Sequence, residues 1–296
     1  MHFIKITFKE VYYMLGNHLL GLYEKALPSA MSWERRLQTA KDLGYDYVEI
    51  SIDEKDERIE RLYWDDAHKD KLRRAIKKTG VPIPSMCLSC HRRFPFGSSD
   101  PSIRAKAYEL MEKAILFCRD FGIRVIQLAG YDVYYEKSTK ESLQYFLDGL
   151  VYSARLAEKY QVMLAMEIMD TELMSSITRY KQYKDEIPSP WFTVYPDLGN
   201  LTAWGNDVKS ELTLGIHDIV AVHLKDTLAV TPTFSGKFKS VTFGEGCVDF
   251  AKGFKILEDL GYAGPYMMEM WYSDGMDWED YITKAKTFIE ERYMEG

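Results

Sequence analysis

Eight short apolar runs, each separated from the next by a longer segment, constrain this chain more than any other feature. They are 18–23 (HLLGLY), 45–52 (YDYVEISI), 83–88 (IPSMCL), 124–129 (RVIQLA), 162–168 (VMLAMEI), 191–196 (WFTVYP), 219–224 (IVAVHL) and 266–271 (YMMEMW). They are mostly continuous rather than alternating, which is how strands read when both faces of a parallel sheet are buried. The segments between them carry helix signals. Ser32 precedes a stretch with Leu37, Ala40 and Leu43 that stops at Gly44, and 66–79 stops at Gly80. Asp100-Pro101 opens an apolar stripe from Ile103 to Cys118 that closes at Gly122, and 139–160 repeats Leu143, Phe146, Leu150, Ala154 and Ala157. These are start signals, stop signals and a helical period. Weaker helical segments are expected at 176–183, 207–214 and 250–260, and a last helix at 278–293.

Eight strands alternating with eight helices predict an α/β fold, a single (β/α)8 TIM barrel over residues 14–296. A doubly wound open sheet is the structural alternative. The length of 296 residues would suit two ordinary domains, but composition does not change between the halves and barrels fill this length. Residues 1–13 are read as an upstream extension. Lys9-Glu10-Val11 can be encoded by AAG GAG GTN, a strong ribosome-binding sequence, which makes Met14 the expected start; a short N-terminal arm is the other reading. The net charge of −7 argues against nucleic acid or an anionic membrane as partner. No apolar run is long enough to span a bilayer and the first residues do not form a signal peptide, so a cytoplasmic protein is expected. The spacing of Cys87 and Cys90 is that of a redox pair or half a zinc site, but with no second pair they are expected to be packed core thiols, like Cys118.

In a barrel the loops after the strands build the active site, so polar residues at strand ends are the informative ones. Four successive runs end in Glu167, Asp197, His223 and Glu269, each flanked by apolar neighbours. Three buried carboxylates converging on one mouth would repel one another; a divalent cation removes that cost. The donor set suits one Mn, Mg, Zn or Co ion.

These residues resemble the xylose-isomerase-like barrels, and more closely the L-ribulose-5-phosphate 3-epimerase (L-xylulose-5-phosphate 3-epimerase) family of ascorbate and pentose catabolism. The resemblance rests on GLYEKALP (21–28), SMCLSCHRRFPFGS (85–98), RVIQLAGYDVYYE (124–136), LAMEIMD (164–170), YPDLGNLTAWGNDV (195–208), VAVHLKDT (220–227), FGEGCVDF (243–250) and GPYMMEMW (264–271). Cys90, where a small residue such as Ala is expected, is a departure. The resemblance implies that Glu167, Asp197, His223 and Glu269 bind the metal and that Glu167 and Glu269 also act as acid and base. The substrate it implies is a small ketopentose phosphate, epimerised at C3 through an enediolate, by what is expected to be a homodimer. One carboxylate must take a proton from one face while another returns one to the opposite face. Candidate substrate contacts are Lys225, His91, Arg92, Asn200, Trp271 and Lys25, with the amides of Gly244 and Gly246 as further phosphate donors. An aldose–ketose isomerase using the same ligands, a non-catalytic sugar-phosphate-binding barrel and a DNA-repair endonuclease are the rivals. The last needs more histidines than His91 and His223, and Asn200 stands where another would be expected.

Overall fold

The computed structural model describes residues 15–296; the extension over 1–13 and the choice of Met14 as start lie outside the described residues. In chain order the strands are β1 (Leu20–Tyr23), β2 (Tyr47–Ile52), β3 (Ser85–Leu88), β4 (Val125–Leu128), β5 (Met163–Glu167), β6 (Phe192–Tyr195), β7 (Val222–Leu224), β8 (Asp226–Leu228), β9 (Lys237–Val241) and β10 (Tyr266–Met268). The helices are α1 (Trp33–Asp42), α2 (Asp56–Ile59), α3 (Asp66–Thr79), α4 (Pro101–Phe121), α5 (Lys140–Tyr160), α6 (Ile177–Glu186), α7 (Leu198–Ala203), α8 (Val208–Gly215), α9 (Phe250–Asp259) and α10 (Trp278–Glu295). Eight parallel strands form one sheet in the order β6-β5-β4-β3-β2-β1-β10-β7. Parallel bridges Val194–Ile219 and Asp197–His223 join its two ends, so the sheet is the expected (β/α)8 barrel.

All eight expected strands are present, each shorter than the apolar run that marks it. Helix starts follow local chemistry. The side chains of Ser32, Asp65, Asp100 and Thr139 accept hydrogen bonds from first-turn amides, which satisfies donors that a helix leaves orphaned. Gly80 ends α3 at φ 75°, a left-handed cap that a residue with a Cβ adopts only under strain. The α2 and α7 turns and the β8–β9 hairpin were not expected from the sequence. They are too short, or too dependent on the strand beside them, to carry a period of their own.

Large side chains fill the barrel axis. Tyr23, Tyr47, Cys87 and Met267 form one cluster, and Ala165, Tyr195 and Ala221 another. Tyr47 lies across Gly21, where an added Cβ would come within 2.2 Å of its ring, and its hydroxyl donates to the Tyr266 carbonyl at 2.9 Å. The barrel is therefore a plugged core below and a polar mouth above, at the C-terminal strand ends. Cys87, Cys90 and Cys118 are buried free thiols and Cys247 is exposed; burial pushes the Cys90 thiol up to about 12, so it is inert at neutral pH. No helix among the described residues is long and apolar enough to cross a membrane.

Candidate active site

Strand ends deliver the four predicted ligands to one place. Glu167 closes β5, Asp197 follows β6, His223 lies in β7, and Glu269 follows β10, its amide donating to the Leu224 carbonyl at 3.0 Å. One donor atom from each lies within 4.8 Å of the others. His223 Nδ1 faces Glu167 Oε1 at 3.7 Å, Asp197 Oδ2 at 3.8 Å and Glu269 Oε2 at 3.8 Å. Two ligands of a common ion at about 2.1 Å lie no more than about 4.2 Å apart, so a small contraction makes this a metal cage.

The orphaned atoms support that fit. Asp197 divides its carboxylate: Oδ1 accepts the Asn200 amide at 2.7 Å and so caps α7, while the buried Oδ2 has no hydrogen-bond partner, with the Lys225 ammonium at 3.1 Å and His223 Nδ1 at 3.8 Å. His223 Nδ1 is fully buried without a hydrogen-bond partner. Buried polar atoms are rarely left so, and both point into the cage.

Asp197 and His223 are 0% exposed, whereas Glu167 and Glu269 each retain 7%. Of the four, only the glutamates line the mouth cavity, together with Tyr23, Lys25, Cys87, Ser89, Arg92, Met169, Asp170, Asn200, Lys225, Lys239 and Trp271. Burial pushes Glu167 up to about 7, and the charge of Glu269 adds to this against the pull of His223. Burial raises Asp197 too. Glu269 goes the other way: burial opposes ionisation, but Lys225 and His223 outweigh it and hold the carboxyl low. For His223, burial disfavours the imidazolium, and the carboxylates of Glu167, Glu49 and Glu269 overcome it. The two glutamates are thus driven apart in acidity, as an acid–base pair requires.

Lys225 was expected at a substrate oxygen. Its ammonium, 4% exposed, is bonded to Glu269 Oε2 at 2.8 Å and to Asp197, so its first role is as counter-charge to the cage. Lys25 and Arg92 do reach the mouth, but Lys25 is paired with Asp53 at 2.5 Å. The Arg92 guanidinium lies over the Tyr134 ring at 4.7 Å, with Glu54 at 3.9 Å. Asn200 donates to the Ile168 carbonyl and leaves Oδ1 unpartnered. Trp271 stands edge-on to Tyr23 at 6.3 Å, with the Lys225 ammonium 5.7 Å from its ring.

Two expectations fail. His91 is not at the mouth: it stacks on Phe96, 4.6 Å between centroids, and its Nε2 pairs with the Ala107 carbonyl at 3.2 Å. Burial lowers it to about 4, so it is a neutral core histidine. The amides of Gly244 and Gly246 are not free for phosphate either, because both donate to Asp226 Oδ2 at 2.9 Å. Conversely, Glu49 was overlooked. It is fully buried on β2; its Oε1 lies 3.5 Å from His223 Nε2 and its Oε2 accepts from the Tyr195 hydroxyl at 3.3 Å. Its one sequence signal was a glutamate inside the apolar run YVEISI. Behind the mouth, the buried Glu24 accepts from Arg36, Arg58 and Arg61, which ties together the loops after β1 and β2.

The xylose isomerase-like TIM barrel family model matches residues 37–292. The SgbU protein of Escherichia coli K12 is 54% identical over 282 residues, 95% of this chain and 99% of that one. The L-ribulose-5-phosphate 3-epimerase UlaE of Escherichia coli ATCC 8739 is 53% identical over 273 residues, 92% of this chain and 94% of that one. Among solved structures, a D-allulose 3-epimerase from a Methylomonas species superposes with a TM-score of 0.74 at 20% identity, over 93% of this chain and 97% of that one. At that distance it speaks for the barrel alone. Shared barrel, shared length and an identity above one half place this chain in the L-ribulose-5-phosphate 3-epimerase family of xylose isomerase-like TIM barrels.

Proposed function

We propose that this protein interconverts L-ribulose 5-phosphate and L-xylulose 5-phosphate by moving a proton at C3. The observation that carries the reading is the division within the quartet. Asp197 and His223 are sealed in, whereas Glu167 and Glu269 face the cavity from strands that are not neighbours in the sheet. C3 inversion needs two proton carriers on opposite faces of one carbon, and of the four ligands the glutamates are the two that line the cavity.

In this reading Glu167, Asp197, His223 and Glu269 hold one divalent ion: Mn, Mg, Zn or Co. When bound, that ion supplies Lewis-acid stabilisation of the enediolate charge. Glu167 and Glu269 exchange the roles of base and acid with reaction direction. Lys225 balances the carboxylates. Trp271 walls the cavity, Asn200 offers its free Oδ1 to a substrate hydroxyl, and Lys25 and Arg92 supply positive charge at the rim. The functional unit is one barrel from residue 14 onward, assembled as a homodimer in the cytoplasm with no nucleic-acid partner.

The test is NMR of L-ribulose 5-phosphate in D2O with metal-loaded protein. Deuterium should enter C3, and L-xylulose 5-phosphate should appear. Exchange between C1 and C2 instead would point to an aldose–ketose isomerase, and unchanged sugar at full metal occupancy would end the proposal.

A further inference from the structure

One strongly basic surface lies on the outside of the barrel and shares no residue with the mouth. Helix α3 carries six cations, Lys69, Lys71, Arg73, Arg74, Lys77 and Lys78, against the carboxylates of Asp66 and Asp70, in a chain whose net charge is −7. Three of the six are paired: Lys69 with Asp120 at 2.6 Å, Arg73 with Asp70 at 2.9 Å and Lys78 with Glu34 at 2.6 Å. Lys71, Arg74 and Lys77 are exposed and, among the described residues, make no ion pair. Those three, together with Lys78, line a groove of about 750 Å³ between α1 and α3 that also takes in Ala75 and Trp33. We propose that this groove binds a purine nucleoside diphosphate or triphosphate, with the base on Trp33 and the phosphates along Lys71, Arg74 and Lys77. The inference goes beyond the epimerase reading and stands apart from it.

The first argument is charge. Cations in the last turn of a helix are favoured by its dipole, which accounts for Lys77 and Lys78. Lys71 and Arg74 lie earlier, where that effect has faded. Residues 71, 74 and 77 follow at three-residue intervals, so successive charges rise by about 4.5 Å along one side of the helix. Like charges at this spacing repel one another. A polyanion laid along the row relieves all three contacts at once, and Arg74 adds the fork that pairs with phosphate oxygens. The cations of α3 that do find carboxylates include Lys69 and Arg73, which do not line the groove. The unpaired charge is therefore concentrated where a ligand would lie.

The second argument is the indole. Trp33 is half-buried, with the Arg36 and Arg61 guanidiniums 5.2 and 5.1 Å from its ring. Both arginines bond the buried Glu24, at 3.0 and 2.6 Å, so the ring is held by an ion cluster anchored beneath it. A ring fixed in advance loses little entropy when a second flat group stacks on it. The groove walls are fixed as well. Lys41 of α1 donates to the Thr79 carbonyl at 2.7 Å, and Lys78 of α3 reaches Glu34 of α1. An aromatic plane beside a row of cations is the pair of elements that a nucleotide meets, since every base has a face to stack and every phosphate a charge to place. An acidic peptide would use the cations and leave the indole idle. The volume lies within the range of small-molecule sites.

The experiment is calorimetric titration of the metal-loaded protein with ADP, pyrophosphate and a hexaglutamate peptide. It compares wild type, Trp33→Leu and the triple variant Lys71→Gln, Arg74→Gln, Lys77→Gln. The three cations are exposed, so the triple variant should melt with the wild type. Each exposed charge contact is worth up to about fivefold, so ADP binding should weaken on the order of 30-fold in the triple variant. Trp33→Leu should weaken ADP about tenfold and change pyrophosphate by no more than about twofold. Equal ADP binding in the triple variant would place any nucleotide elsewhere, the mouth included, and overturn the proposal. So would an absence of ADP binding to wild type at millimolar concentration. Pyrophosphate bound as tightly as ADP would make the groove a simple polyanion site, and hexaglutamate bound more tightly than ADP would make it a surface for an acidic protein; either result overturns the nucleotide assignment.

Discussion

Replacing Glu49 by Gln should weaken metal binding without weakening the fold. Glu49 Oε1 faces His223 Nε2 at 3.5 Å while Nδ1 of the same ring faces the three carboxylates of the cage. The carboxylate thereby favours the tautomer with hydrogen on Nε2 and the lone pair on Nδ1, the nitrogen a metal would take. Across the ring, carboxylate and ion would be about 7 Å apart, worth about 2 kcal/mol per unit of ionic charge at an effective dielectric of about 20. Lys225 and local relaxation absorb part of the attraction to a doubly charged ion. About 2 kcal/mol is roughly thirtyfold, inside the 10- to 100-fold range for outer-shell partners of metal-bound histidines. The amide oxygen of Gln can still accept from the Tyr195 hydroxyl, and the change removes a buried charge, so the metal-free variant should unfold at the same or a higher temperature. The assay is chelator-competition titration of zinc into metal-free protein, alongside 15N shifts of the zinc-loaded imidazole. A zinc affinity within twofold of wild type, with unchanged His223 shifts, would refute the reasoning.

Glu167→Gln and Glu269→Gln should each slow deuterium entry at C3 by about 10²- to 10⁴-fold, the usual worth of a positioned acid or base. Single-turnover NMR measures this, and near-normal exchange in either would remove that residue from the pair. Metal affinity should fall as pH drops. Glu167, pushed up to about 7, and His223, held above its ordinary value, must both lose protons to ligate, so below pH 7 the loss should approach one to two decades per unit. Calorimetry in two buffers reads the proton release directly, and pH-independent affinity between 5 and 7 would contradict it. His91→Ala should cost about 1–3 kcal/mol of stability through the lost Phe96 stacking and the unpaired Ala107 carbonyl. It should leave the KM for L-ribulose 5-phosphate within twofold; a tenfold rise would return His91 to the mouth.

Local features were the legible ones. The cap at Ser32, the Pro101 start and the stop at Gly80 are decided within a few residues of chain, and their helices begin and end there. The runs buried on both faces announced a parallel sheet, because continuous apolarity leaves a strand nowhere else to pack. Glu167, Asp197, His223 and Glu269 stood out for a related reason: a charge at the end of such a run must find a partner. Strand ends were harder to place, since Ile219 to Ala221 are apolar yet β7 begins at Val222, where its neighbour's ladder begins.

What the chain's order could not convey was direction and partnership between distant residues. His91 and Arg92 are neighbours in sequence, yet one turns into the core against Phe96 and the other toward the mouth. Lys225 could serve a substrate or a carboxylate, and only the approach of β7 to β10 brings it to Glu269. Glu49 gains its place behind His223 because the barrel closes β2 across the axis from β7. The sequence by itself determined an eight-stranded barrel and the four donors at its mouth, because periodicity, caps and the cost of burying charge act along the chain. Tertiary structure alone decided which nitrogen of His223 faces the cage and that Asp226 takes the amides of Gly244 and Gly246, because each depends on which groups meet across the barrel.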